Sequence, residues 1–119
     1  MYNNPTALIV EDDPDLAFLF AYTLQAAGFK TTNARDGRQA VDSLNAAAPD
    51  ILILDMHLPY MNGPEIWDKF RDDPRFTSTY VVVVSGDPGM VGQLQKVDLV
   101  LSKPIDPMKL QGMAAQICQ

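Results

Sequence analysis

Apolar residues recur along this chain in two alternating rhythms. Short, nearly unbroken runs appear at Thr6-Ala7-Leu8-Ile9-Val10, Ile51-Leu52-Ile53-Leu54, Tyr80-Val81-Val82-Val83-Val84 and Leu99-Val100-Leu101. A run of this length reads as a strand buried on both faces, the pattern of a parallel sheet. Lys30 to Ala34 is a weaker, Thr-rich strand, expected nearer a sheet edge. Between the runs the spacing changes to three and four. Leu16, Leu19, Phe20, Leu24 and Ala27 predict a helix of about four turns, with Asp13 as N-cap, Pro14 in the first turn and Gly28 as the stop. Asp36 with Gln39, and Asn62 with Glu65, are helix-start patterns. The first opens a helix lined by Ala40, Val41, Leu44 and Ala47 or Ala48 and closed by Pro49; the second opens one lined by Ile66, Trp67 and Phe70. Asp106-Pro107 caps a last helix carrying Leu110, Met113, Ala114 and Ile117. From Asp87 to Lys96 the signal is poor. Pro88, Gly89 and Gly92 disfavour helix and only Met90, Val91 and Leu94 can pack, so one or two irregular turns are expected.

Strand and helix thus alternate, which implies parallel pairing and right-handed crossovers. The expected fold is α/β: a five-stranded parallel, doubly wound sheet with helices on both faces. The chain has 119 residues and no repeat or linker, so residues 1–119 are read as one domain.

Composition narrows the function classes. A formal charge of −6 argues against general nucleic-acid binding and against docking on anionic membrane. No apolar run approaches the roughly 18 residues of a membrane span, and the N-terminus lacks the basic and apolar regions of a signal peptide. The single Cys118 excludes an intrachain disulfide framework and fits a reducing compartment. A cytoplasmic location is expected.

The candidate chemistry lies where the strands stop. In open α/β sheets, ligands bind at the carboxyl ends of the strands. The first strand ends in Glu11-Asp12-Asp13, the third in Asp55, the fourth in Ser85-Gly86 and the fifth in Ser102-Lys103-Pro104. Residues scattered in sequence therefore converge on one edge. Clustered carboxylates repel, and an oxygen-only donor set suits Mg²⁺. A carboxylate can also be a nucleophile on phosphorus, with a cation neutralising the phosphoryl oxygens.

Val10-Glu11-Asp12-Asp13-Pro14, Asp55 with Pro59 and Gly63, Ser85-Gly86 and Lys103-Pro104 together resemble the receiver domain of two-component response regulators. Each motif alone is weak, but the four in order cover the chain from Thr6 to the last helix. The resemblance implies a flavodoxin-like sheet of strand order 2-1-3-4-5. It implies that Asp55 is the phosphoacceptor, that Asp12 and Asp55 bind Mg²⁺ directly, and that Glu11 acts through a bound water. The backbone carbonyl of His57 would be a further ligand, Ser85 the switch hydroxyl and Lys103 the phosphate-binding lysine. A sensor histidine kinase or phosphotransfer protein would supply the phosphoryl group and a downstream protein would read it, and a homodimer is a further possible partnership. Such a domain turns over no external metabolite. Two features depart from the family pattern. Val100 occupies the place of an aromatic three residues before the lysine, and Ser85 to Lys103 spans only 18 residues, so a shortened or irregular fourth helix is expected. Two alternatives stay open on sequence grounds: a degenerate receiver acting as a phosphorylation-independent binding module, and an aspartyl-nucleophile phosphatase. The latter usually carries a second Asp two residues after the nucleophile, where this chain has His57.

Overall fold

The sheet assembles in the order β2-β1-β3-β4-β5, with every neighbouring pair parallel. The structure, a computed structural model, describes residues 4–87, 89 and 94–117. Its strands are β1 (Thr6–Val10), β2 (Lys30–Ala34), β3 (Ile51–Asp55), β4 (Tyr80–Ser85) and β5 (Leu99–Ser102). Its helices are α1 (Pro14–Ala26), α2 (Gly37–Ala46), α3 (Gly63–Phe70) and α4 (Pro107–Ile117), and a single 3-10 turn covers Pro74–Phe76.

The continuous apolar runs are buried on both faces because alternate side chains feed two separate cores. Leu8, Val10, Leu52, Leu54, Val81 and Val83 pack under Ala40 and Leu44 of α2 and Ile66, Trp67 and Phe70 of α3. Ala7, Ile9, Ile51, Ile53, Val82 and Val84 pack under Phe20 and Leu24 of α1 and Leu110, Met113 and Ala114 of α4. The polar strand β2 lies at the sheet edge, where its side chains meet water.

The expected caps form. Asp13 Oδ1 accepts from the N–H of Asp15, Asp36 Oδ1 from Gln39, Asn62 Oδ1 from Glu65 and Asp106 Oδ1 from Met108. Gly28 follows α1 at φ +101°, a conformation that suits glycine. Some details differ from expectation. Helix α2 stops at Ala46, one residue short of the predicted Ala47 or Ala48, because Ala47 turns extended ahead of Pro49. Strand β5 runs one residue further, to Ser102, which pairs with Ser85. The 3-10 turn capped by Asp73 was not anticipated, and it seats Phe76 edge-on against Trp67 and Phe70.

Half of the stretch from Asp87 to Lys96 expected to form irregular turns between β4 and β5 (residue 88 and residues 90–93, with Met90 and Val91 among them) lies outside the described residues, as does Cys118. Beyond it the connection is well anchored. The Trp67 indole N–H donates to the Gln95 carbonyl at 2.8 Å, and the Asp98 carboxylate accepts from the Val81 N–H at 2.7 Å. Leu94 and Val97 pack on the α2–α3 side of the core. Among the described residues no helix is long and apolar enough to cross a membrane.

Candidate phosphoacceptor site

The register of the sheet brings the strand ends together. Val10 pairs with Leu54, Asp55 with Val84, and Ser85 with Ser102, so Glu11, Asp55, Ser85 and Lys103 share one edge. The ladder continues past the strands: Met56 N–H donates to the Val84 carbonyl and Lys103 N–H to the Ser85 carbonyl. Helix α3 starts directly beneath. The Gly63 N–H donates to the Met56 carbonyl, and a Cβ on Gly63 would stand 2.6 Å from the Asp55 carbonyl oxygen. The Lys103-Pro104 peptide bond is cis.

Asp55 is 1% exposed and both its oxygens are engaged. Oδ1 accepts from the His57 N–H at 2.9 Å and Oδ2 from the Lys103 ammonium at 2.8 Å. Glu11 is also 1% exposed. One of its oxygens accepts from the Asp13 N–H at 3.2 Å, while Oε1 has no hydrogen-bond partner among the described residues. Asp12 is exposed, and one ligand oxygen from each of Glu11, Asp12 and Asp55 lies within 4.8 Å of the other two.

This geometry has an electrostatic consequence. Burial, reinforced by the neighbouring Asp55 carboxylate, pushes Glu11 up to about 8, against smaller opposing effects of the Asp13 N–H and Lys103. Burial pulls the Lys103 ammonium down, but its hydrogen bond to Asp55 and the charges of Asp55, Glu11 and Asp12 outweigh this, and its pKa is raised. The Lys103 ammonium thus offsets part of the negative charge that the clustered acids gather. A divalent cation is the other way to satisfy them, and a buried, orphaned Glu11 oxygen beside two further carboxylates fits Mg²⁺ by donor chemistry.

A raised carboxylate pKa stabilises the folded state fully below the unfolded value, here 4.5, and that contribution is lost as pH rises through about 8. Urea midpoints in EDTA are expected to fall between about pH 5 and about pH 8, by roughly 1–3 kcal/mol in stability. Glu11→Gln should flatten this slope. An equally steep slope in Glu11→Gln would assign it to other groups.

Ser85 sits where predicted, at the buried end of β4, and its hydroxyl is engaged by the Asp87 backbone. Its Oγ donates to the Asp87 carbonyl at 2.8 Å and accepts from the Asp87 N–H at 2.9 Å. Val100 is 44% exposed on the edge strand β5. Sequence patterns gave no sign of two features. Tyr60, 98% exposed, is the centre of a tight turn at φ +71° closed by Met61 N–H to the Pro59 carbonyl. Asn33 on β2 reaches across to the carbonyls that end β1.

A parallel sheet of this order, with acids and a lysine gathered at its carboxyl edge, defines the flavodoxin-like class of receiver folds. The family model of the response regulator receiver domain matches residues 7–115, and the chain belongs to that family, whose members act in two-component signal transduction. Protein Rrf1 of Nitratidesulfovibrio vulgaris is 31% identical over 106 residues, covering 89% of this chain and 77% of that protein. The DNA-binding response regulator MtrA of Mycolicibacterium smegmatis is 32% identical over 104 residues, and there the match spans 87% of this chain but 46% of MtrA. The chemotaxis response regulator CheY4 of Vibrio cholerae shares the fold at TM-score 0.85 over 97% of this chain and 99% of that one, with 24% identity. The receiver domain of a signal transduction histidine kinase from Syntrophus aciditrophicus superposes at TM-score 0.81 with 28% identity, over 96% of this chain and 89% of that one.

Proposed function

We propose that residues 1–119 form one receiver domain that accepts a phosphoryl group on Asp55 from the phosphohistidine of a sensor histidine kinase or phosphotransfer protein. The observation that carries this reading is the Asp55 carboxylate, 1% exposed yet ion-paired at 2.8 Å with Lys103 and clustered with Glu11 and Asp12. A buried acid paired with one lysine and crowded by two further acids is an unfavourable arrangement to maintain for structure alone.

In the transfer, an Asp55 oxygen forms the new O–P bond as the P–N bond to imidazole breaks, and the bonding pair stays on the imidazole nitrogen. Glu11, Asp12, Asp55 and the His57 carbonyl would hold Mg²⁺, which when bound supplies positive charge to the phosphoryl oxygens. Lys103 leaves Asp55 Oδ2 to bind a phosphoryl oxygen. Ser85 gives up its bonds to Asp87 and offers its hydroxyl to another. The added charge of about −1.5 to −2 then shifts the population between two conformations. Water later hydrolyses the acyl phosphate, so the domain acts on itself and turns over no external metabolite. A cytoplasmic setting fits these partners.

Intact-mass spectrometry after incubation with acetyl phosphate and Mg²⁺ tests this directly. One phosphoryl group should be added, and none in EDTA or in Asp55→Asn. An unmodified wild-type chain that also fails to bind beryllofluoride would make the domain a phosphorylation-independent binding module.

A further inference from the structure

Glu11 and Asp12 are joined by one peptide group, and the orientation of that group decides where both carboxylates point. The Glu11 carbonyl and the Asp12 N–H lie in the same rigid plane. Fixing the carbonyl therefore restrains the last torsion of Glu11 and the first of Asp12. The β1–β2 ladder does not reach that carbonyl by regular means. Its last backbone rung here is the Glu11 N–H to the Ala34 carbonyl at 3.0 Å. At Arg35 the chain departs into the cap of α2, its N–H donating to the Gln39 side chain at 2.8 Å.

A side chain takes over at this point. Asn33 Nδ2 donates to the Ile9 carbonyl at 2.9 Å and to the Glu11 carbonyl at 3.3 Å, and approaches the Ala34 carbonyl at 3.4 Å. One carboxamide thus bridges the ends of two strands immediately behind the acids. The side chain is exposed and shares with Asp12, Phe18 and Arg35 the wall of an open cleft of about 370 Å³. It touches none of the three clustered carboxylates in a hydrogen bond, and its replacement disturbs neither buried core.

We propose that Asn33 is a positioning residue for the cation site: its amide locks the Glu11–Asp12 peptide so that both carboxylates face Asp55. This rests on the reading of Glu11, Asp12 and Asp55 as the Mg²⁺ site. A plain edge brace would make the same hydrogen bonds and add the usual increment of stability. It would not change how tightly the cation binds once the chain is folded.

Mg²⁺ titrated calorimetrically into wild type, Asn33→Leu and Asn33→Ser separates the two roles. Leu is close in size but lacks the donors, and Ser is too short to reach, so at least one is expected to fold on this exposed edge. The Mg²⁺ dissociation constant should rise about tenfold in either folded variant, the lower end of what supporting residues give metal sites. The Mg²⁺ needed for half-maximal phosphorylation by acetyl phosphate should rise by the same factor, with the rate at saturating Mg²⁺ preserved within about twofold. Wild-type affinity in a folded variant overturns the positioning role and leaves the site reading intact. A wild-type chain that neither binds Mg²⁺ nor is phosphorylated overturns both.

Discussion

Gly63→Ala is expected to lose about 1–3 kcal/mol of stability and to weaken Mg²⁺ binding in the same variant. The added methyl would stand 2.6 Å from the Asp55 carbonyl oxygen, 2.6 Å from Met56 Cε and 2.9 Å from Met56 Cα. The Met56 side chain can swing away, but the other two atoms belong to the backbone that carries Asp55. Relief requires the start of α3 or the end of β3 to shift. The first displaces Ile66 and Trp67 from the core, and the second moves Asp55 away from Glu11 and Lys103. Helix propensity alone predicts the opposite sign, since Ala is favoured over Gly by about 1 kcal/mol in a helix interior. Gly112 provides the control. It is exposed within α4 and a Cβ there meets nothing within 4 Å, so Gly112→Ala should stabilise by roughly 0.5–1 kcal/mol. Urea denaturation of both variants decides the matter, and a stabilised Gly63→Ala would show that the contact relaxes freely.

The same glycine shows which features were legible in the sequence. Gly63 could be noted as part of a motif, but its reason is a distance between segments eight residues apart, and no local pattern encodes that. Strand and helix identity did follow from local patterns, because unbroken apolar runs are stable only when both sheet faces are covered, and capping residues act within one turn. The convergence of Glu11, Asp12, Asp55 and Lys103 was also readable, since a parallel sheet places every strand's carboxyl end on one edge. Rotamers and partners were not readable. Ser85 stands at the expected place, yet its hydroxyl closes a local turn on Asp87. Asn33 looked like an ordinary polar residue of an edge strand until the register placed it opposite Ile9. The Trp67 to Gln95 bond joins residues 28 positions apart, and only the packed structure shows that α3 holds the far end of the β4–β5 connection. Val100 is absent from the core because β5 is an edge strand, and its exposure leaves no buried slot that an aromatic would have to fill.

Lys103→Met should move cation binding and phosphorylation in opposite directions. In the metal-free protein the Lys103 ammonium lies 2.8 Å from Asp55 Oδ2, and the charges of Glu11 and Asp12 also raise its pKa. It occupies one acceptor that a divalent cation needs and repels that cation electrostatically. Met keeps an unbranched apolar stem without the charge. Asp55 is then left buried beside Glu11, with the His57 N–H as its remaining donor among the described residues. Stability in EDTA should fall, by about 1–3 kcal/mol, because a charge deprived of its partner stays buried while the lysine end was partly solvated. Mg²⁺ should recover most of that loss and bind several-fold more tightly than to wild type, since it no longer competes with an ammonium. Phosphorylation by acetyl phosphate should nevertheless slow by about 10²–10³-fold, the usual consequence of removing one preorganised donor from a site where charge develops. Calorimetry and intact-mass time courses on the same preparation read both quantities. Mg²⁺ binding weakened together with the rate would mean that Lys103 acts by holding the site's shape and not by its charge. Tighter Mg²⁺ with a wild-type rate would remove it from the phosphoryl-binding role altogether.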